Sequence, residues 1–258
     1  QDEGLSALLN SFTMGRPETR NLIPSWDLLL VLSMKEPFEP IESASLKFLT
    51  WKTVFLLALA SGKRRSELHA LSCAKVVWKE DGSTVKLGVI PSFLAKTQLA
   101  ETPSLSFLVP ALAPSLGPGL QEDAKLCPLR ALKVYLRRTK DMRAGKRLLF
   151  VSFLPNFPND IRPATISAWI KKCVLFCYEK SQTVKAPSFK VKAHDVRALA
   201  SSLAFTNQVS LNDIMEACTW VSHNTFTSFY LRDLAWTSGD GLQLGPVVVA
   251  QHVVQHCR

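Results

Sequence analysis

The sequence predicts an α+β fold, mainly α with one small antiparallel β-sheet. Apolar residues recur at helical spacing through most of the chain from Trp26 onward. A single block, residues 75–109, switches to the two-residue period of strands around a glycine turn. Hydrophobic residues make up 47% of the 258, against 20% charged, which suits a chain that buries a sizeable core.

In chain order, residues 1–22 are polar and mixed, and read as the remnant of a preceding domain plus a linker. The main domain is expected over 23–258, closing in a C-terminal tail or helix over 241–258. Ser25 can cap a first helix running from Trp26 to about Met34, and Pro37 and Pro40 then break the chain. Ser43 to Ala60 reads as a long buried helix stopped by Ser61-Gly62, with another starting near Arg64. The hairpin follows: Lys75–Lys79, the turn Asp81-Gly82-Ser83, and Thr84–Ile90, with a third strand over Leu105–Val109. Pro110 to Gly119 is a Pro/Gly-rich loop. Helices are predicted from Pro128 to about Lys140, Thr165 to about Glu179, His194 to Phe205, Leu211 to Ala217 and Thr225 to Leu234. No internal repeat is apparent.

Charge bounds the partner class. The chain has 31 Lys and Arg against 21 Asp and Glu, a net +10. An excess of this size fits a polyanion as readily as simple solubility. The basic residues gather at Lys63-Arg64-Arg65, Arg137-Arg138-Thr139-Lys140, Arg143 to Arg147, Lys171-Lys172 and Lys190 with Lys192. A phosphate-tracking groove would need such clusters beside the motif residues, although a solvated helix face also explains Lys171-Lys172. The six cysteines form no C-x-x-C pair and no secretory signal precedes them, so reduced thiols in a nuclear or cytosolic setting are expected. Cys173 and Cys177 lie one helical turn apart, and His252, His256 and Cys257 cluster at the end; buried thiols and a frayed tail explain both sets without a metal. The longest apolar stretch, Thr53 to Ala60, is too short to span a bilayer.

Several residues carry potential chemistry. Arg64 and Glu67, three apart on a helix, share a face, so the carboxylate can fix the guanidinium. At a helix start after a glycine turn, Arg64 can meet a phosphate together with free backbone N–H groups. An exposed ion pair has the same spacing, and Arg65 competes for the inward position. His194 and Arg197 form a second such pair on the first turn of a helix. Imidazole can donate to a phosphate oxygen or move a proton near neutral pH, and guanidinium forks onto two oxygens. Tyr230 supplies a phenol, a poor nucleophile until nearby cations stabilise its anion; packing in the Phe226-Phe229-Tyr230 cluster is the plainer alternative. Trp220 can donate its N–H to a phosphate or sit in the core, and His223 competes for that role. Lys96, in the connection before the third strand, can protonate a departing alkoxide, although hairpin lysines are common.

Taken in order, Ser61-Gly62-Lys63-Arg64-Arg65-Ser66-Glu67-Leu68, Lys96, His194-x-x-Arg197, Trp220 and Tyr230 resemble the catalytic domain of tyrosine recombinases. The resemblance covers roughly residues 24–235. Residues 192–205 and 220–233 most resemble the recombinases of DIRS-type retrotransposons and related eukaryotic mobile elements. The resemblance implies that Arg64, His194, Arg197 and Trp220 bind the scissile phosphate, with Glu67 orienting Arg64. It implies that Tyr230 attacks to give a 3′-phosphotyrosyl link, with Lys96 as general acid. Double-stranded DNA would be the partner, held by a dimer or tetramer in the nucleus, with no cofactor or metal and no membrane association. A type IB topoisomerase uses similar groups, and a catalytically silent DNA-binding or assembly module derived from a recombinase would keep them. The chain also departs from the family pattern: Lys63 and Arg65 stand where apolar residues are usual, the interval from Trp220 to Tyr230 is ten positions, one longer than expected, and Thr219-Trp220 replaces a Gly-His pair. Gly245 to Gln255 is an apolar segment of the kind that family members dock on a neighbouring protomer, or that packs in cis.

Overall fold

A computed structural model describes residues 26–34, 36–95, 106–111, 121–155, 159–181, 191–206, 209–218, 220, 227 and 230–231. Its centre is helix α2 (Leu46–Ser61), in which every residue from Leu49 to Ser61 is buried. A helix with no polar face must be wrapped on all sides. Helices α5 (Pro128–Arg138), α6 (Pro163–Lys180) and α7 (His194–Thr206) do this, together with strand β3 (Ser106–Pro110). The buried hydroxyls of α2 are satisfied within the helix: Thr50, Thr53 and Ser61 donate to the carbonyls of Leu46, Leu49 and Leu57. Lys52, also buried, is neutralised by Glu39 at 2.5 Å.

Helix α2 starts three residues later than its apolar run suggests. Ser45, not Ser43, accepts the capping N–H from Phe48, while the Ser43 N–H and hydroxyl close a turn onto the Pro40 carbonyl. Helix α1 (Leu28–Leu32) is likewise shorter than expected, because Asp27 caps it by accepting the Leu29 and Leu30 N–H groups. The phenol of Tyr178 on α6 accepts the Asp27 N–H and ties α1 down.

After the short helix α3 (Arg65–His69), strands β1 (Leu71–Trp78), β2 (Thr84–Val89) and β3 form an antiparallel sheet in the order β1-β2-β3. Trp78 pairs with Val85 and Leu87 with Phe107. The turn holds Gly82 at φ +68°, and the Asp81 carboxylate accepts the Ser83 N–H and hydroxyl. Strand β1 begins four residues before the expected Lys75. Its first half slips register against β2 after the Leu71–Val89 pair and also bonds residues 147–149, where Leu71 and Arg147 carbonyls accept the Leu149 and Cys73 N–H groups.

Helix α4 (Gln121–Leu126), which the sequence reading leaves out, precedes α5. Tyr135 of α5 is fully buried and its hydroxyl accepts the Val151 N–H at 2.9 Å. Helix α8 (Leu211–Ala217), capped by Ser210, packs on α7. Trp220 and Tyr230 join α7 and α8 in a second, smaller apolar cluster beside the main core. Residues 1–22, the 241–258 tail, and nearly all of the expected Thr225–Leu234 helix lie outside the described residues. No described helix is long and apolar enough to cross a membrane.

Candidate active site

The junction of α2 and α3 builds the first wall. Gly62 closes α2 in the left-handed conformation (φ +58°), its N–H donating to the Ala58 carbonyl. This turn delivers Arg64 as the N-cap of α3, three residues before the fully buried Glu67. The Glu67 carboxylate accepts the Arg64 backbone N–H at 2.7 Å through one oxygen and its guanidinium at 2.9 Å through the other. Arg65, by contrast, is exposed on the cleft rim. Glu67 therefore pairs with Arg64, as their spacing suggests.

The N-terminus of α7 builds the second wall. His194 opens the helix and is exposed, whereas Arg197, one turn in, is 2% exposed. Arg197 Nη1 donates to the Gly62 carbonyl at 2.7 Å and lies 3.9 Å from Glu67 Oε2, the oxygen that accepts the Arg64 backbone N–H. Its Nη2 donates to the Cys218 carbonyl. One carboxylate thus serves two arginines. Burial lowers the proton affinity of the Arg197 guanidinium, and the Arg64 charge adds to that, while Cys218, Glu67 and Tyr230 act against it. The Cys218 thiol is itself pushed up by burial. Arg197 Nε is buried with no hydrogen-bond partner among the described residues. An unmet charged donor is costly in a protein interior, and an incoming oxyanion would satisfy it.

Aromatic rings close the arrangement. The Arg197 guanidinium carbon lies 4.7 Å from the Trp220 ring centre and 5.5 Å from that of Tyr230. The Tyr230 ring lies 4.5 Å from that of Trp220 and 4.8 Å from the His194 imidazole. Ser202 on α7 donates to the Tyr230 backbone carbonyl at 3.2 Å, fixing the chain at that residue. Arg64, His194, Arg197, Trp220 and Tyr230 all line one cleft of about 880 Å³.

Five of the sequence-selected residues therefore converge, with Glu67 behind two of them. Lys96 and His223 lie outside the described residues. Four participants are not evident from the sequence: Ser202, the carbonyls of Gly62 and Cys218, and buried Lys63. Carbonyl acceptors leave no sequence signal, and Lys63 was grouped with its charged neighbours. Chemically, two cations, an imidazole and a phenol around one opening can bind an oxyanion and present a nucleophile to it. Cys173 and Cys177, one buried and the other half-buried, lie on α6, and no metal-binding group of three His, Cys, Asp or Glu occurs among the described residues.

No protein-family model matches the chain, and no curated protein matches it. Solved structures do. The XerH site-specific recombinase bound to difH substrate in a pre-cleavage complex aligns at 13% identity and TM-score 0.51, over 81% of this chain and 48% of that one. XerH bound to palindromic difH substrate in a post-cleavage complex aligns at 14% identity and TM-score 0.53, over 82% and 51%. The chain spans about half the length of these structures, and shares with them a tyrosine-recombinase-like fold.

Proposed function

We propose that this chain is a tyrosine recombinase catalytic domain that cuts and rejoins double-stranded DNA through a 3′-phosphotyrosyl intermediate. The observation that carries the proposal is the convergence of Arg64, His194, Arg197, Trp220 and Tyr230, from four separate stretches of sequence, on one cleft. The shared fold with DNA-bound recombinases supports it independently.

A phosphodiester is an anion and repels nucleophiles until cations surround it. Arg64 and Arg197 supply that charge, held by Glu67 in fixed positions. The Tyr230 phenolic oxygen then attacks phosphorus, the P–O5′ bond breaks, and the 5′-hydroxyl leaves. His194, whose ring centre lies 4.8 Å from that of Tyr230, is assigned the phenolic proton. Lys96 is assigned the proton given to the departing 5′-oxygen. Attack by a partner strand's 5′-hydroxyl reverses the step, so the bond energy is conserved. The likeness of residues 192–205 and 220–233 to mobile-element recombinases extends the proposal to DNA integration by an oligomer in the nucleus.

The test is a duplex nicked just beyond the cleavage position, so that the short fragment bearing the 5′-hydroxyl diffuses away and the covalent intermediate is trapped. A covalent band on a denaturing gel is expected from the wild type and none from Tyr230→Phe. DNA retardation without a covalent band would leave a silent binding module. Relaxation of supercoiled plasmid without strand exchange would leave a topoisomerase.

A further inference from the structure

Lys63 belongs to a run of three basic residues, yet it is only 5% exposed. It lies in the cleft wall between the Gly62 turn and Arg64. Its ammonium donates to the Ala217 carbonyl at 2.7 Å, at the end of α8, and faces the Phe107 ring of β3 at 5.2 Å. The next carbonyl, Cys218, takes Nη2 of Arg197. A buried ammonium is costly, and a plain apolar side chain would fill the same space without that cost.

The charge balance gives the ammonium a purpose. The Lys63 ammonium adds a buried positive charge to a cleft wall that already carries Arg64 and Arg197, the two guanidinium groups paired with Glu67. A phosphodiester carries one negative charge, and its five-coordinate transition state carries two. A cation fixed in the cleft wall therefore favours the doubly charged transition state over the singly charged bound substrate. We propose that Lys63 is a positioning residue that acts by charge, a fixed ammonium whose field favours the transition state over the bound substrate. This rests on the recombinase reading and assigns a further residue to its site.

The experiment compares Lys63→Gln, Lys63→Met and Lys63→Arg on the nicked duplex, measuring single-turnover adduct rate, DNA affinity and thermal unfolding. Gln retains a donor for the Ala217 carbonyl but no charge; Arg retains the charge. Loss of rate by about tenfold to a hundredfold in both Gln and Met, with affinity within about threefold and the rate largely kept in Arg, is the expected result. Either neutral variant suffices if the other does not fold. A Gln variant reacting at the wild-type rate, or an Arg variant as slow as Gln, overturns the proposal while leaving the recombinase reading intact. Absence of adduct from the wild type overturns both.

Discussion

Glu67 holds two guanidinium groups from different helices, so its loss reaches both walls of the cleft. Glu67→Gln keeps the shape but removes the carboxylate charge that pairs with Arg64 and Arg197, and its NH2 cannot accept from either. Breaking such a buried pair costs about 3–5 kcal/mol, so urea unfolding should shift by a large fraction of total stability. Adduct formation should fall at the same time, because Arg64 loses its fixed orientation. A variant with wild-type unfolding and wild-type rate would remove Glu67 from the account. Gly62 is a second sensitive point. Its left-handed φ of +58° disfavours any Cβ, and one built there lies 3.2 Å from Cys218 Sγ. Gly62→Ala should cost about 1–2 kcal/mol from the backbone alone, measured by the denaturation midpoint. The clash also pushes on the loop whose carbonyl holds Arg197, so activity should fall further than stability.

At the scale of elements, Tyr135 shows how a helix is fastened to a strap. Burial pushes its phenol up to about 12, opposed by the Val151 N–H, Arg143 and Thr139. The folded value lies above the ordinary phenol, so the stability it contributes is complete below about pH 10 and is lost as pH rises through about 12. Two units amount to about 3 kcal/mol. Tyr135→Phe should therefore be less stable at pH 8, having stranded the Val151 N–H at a cost of about 1–3 kcal/mol. Above pH 10 the two proteins should converge in urea unfolding; parallel curves would contradict this assignment. Most elements were legible because their periods are strong: α2 from its long, mostly apolar run, β2 from alternation and its glycine turn, α7 and α8 from their spacing. What stayed hidden depends on distant partners. The early start of β1 is stabilised by residues 147–149, some seventy-five positions away, and nothing in Leu71-Ser72-Cys73 announces that pairing.

The whole molecule joins these pieces into a gradient of charge. Arg64, Arg197 and Lys63 lie in the cleft wall, while Arg65, Lys171 and Lys192 stand exposed around it, on a chain of net +10. The residues that converge on the cleft were legible as an ordered series: Arg64 with Glu67 and His194 with Arg197 at helical spacing, then Trp220 and Tyr230 as chemically capable side chains further on. The depth at which each sits was not, because Lys63, Arg64 and Arg65 are alike in sequence and differ only in what the folded chain packs against them. The same contrast separates Lys171 from Lys172, adjacent and both exposed on α6, of which only Lys171 lines the cleft. If duplex DNA runs along this opening, Lys171 meets a phosphate and releases counterions, whereas Lys172 faces away. The logarithm of affinity against that of salt should then flatten by about one unit in Lys171→Ala, read by fluorescence anisotropy between about 50 and 200 mM salt. Lys172→Ala should keep the wild-type slope, and neither change should alter the melting temperature, since both side chains are exposed. Equal slopes in the two variants would place the DNA track elsewhere on the surface and separate the cleft from duplex binding.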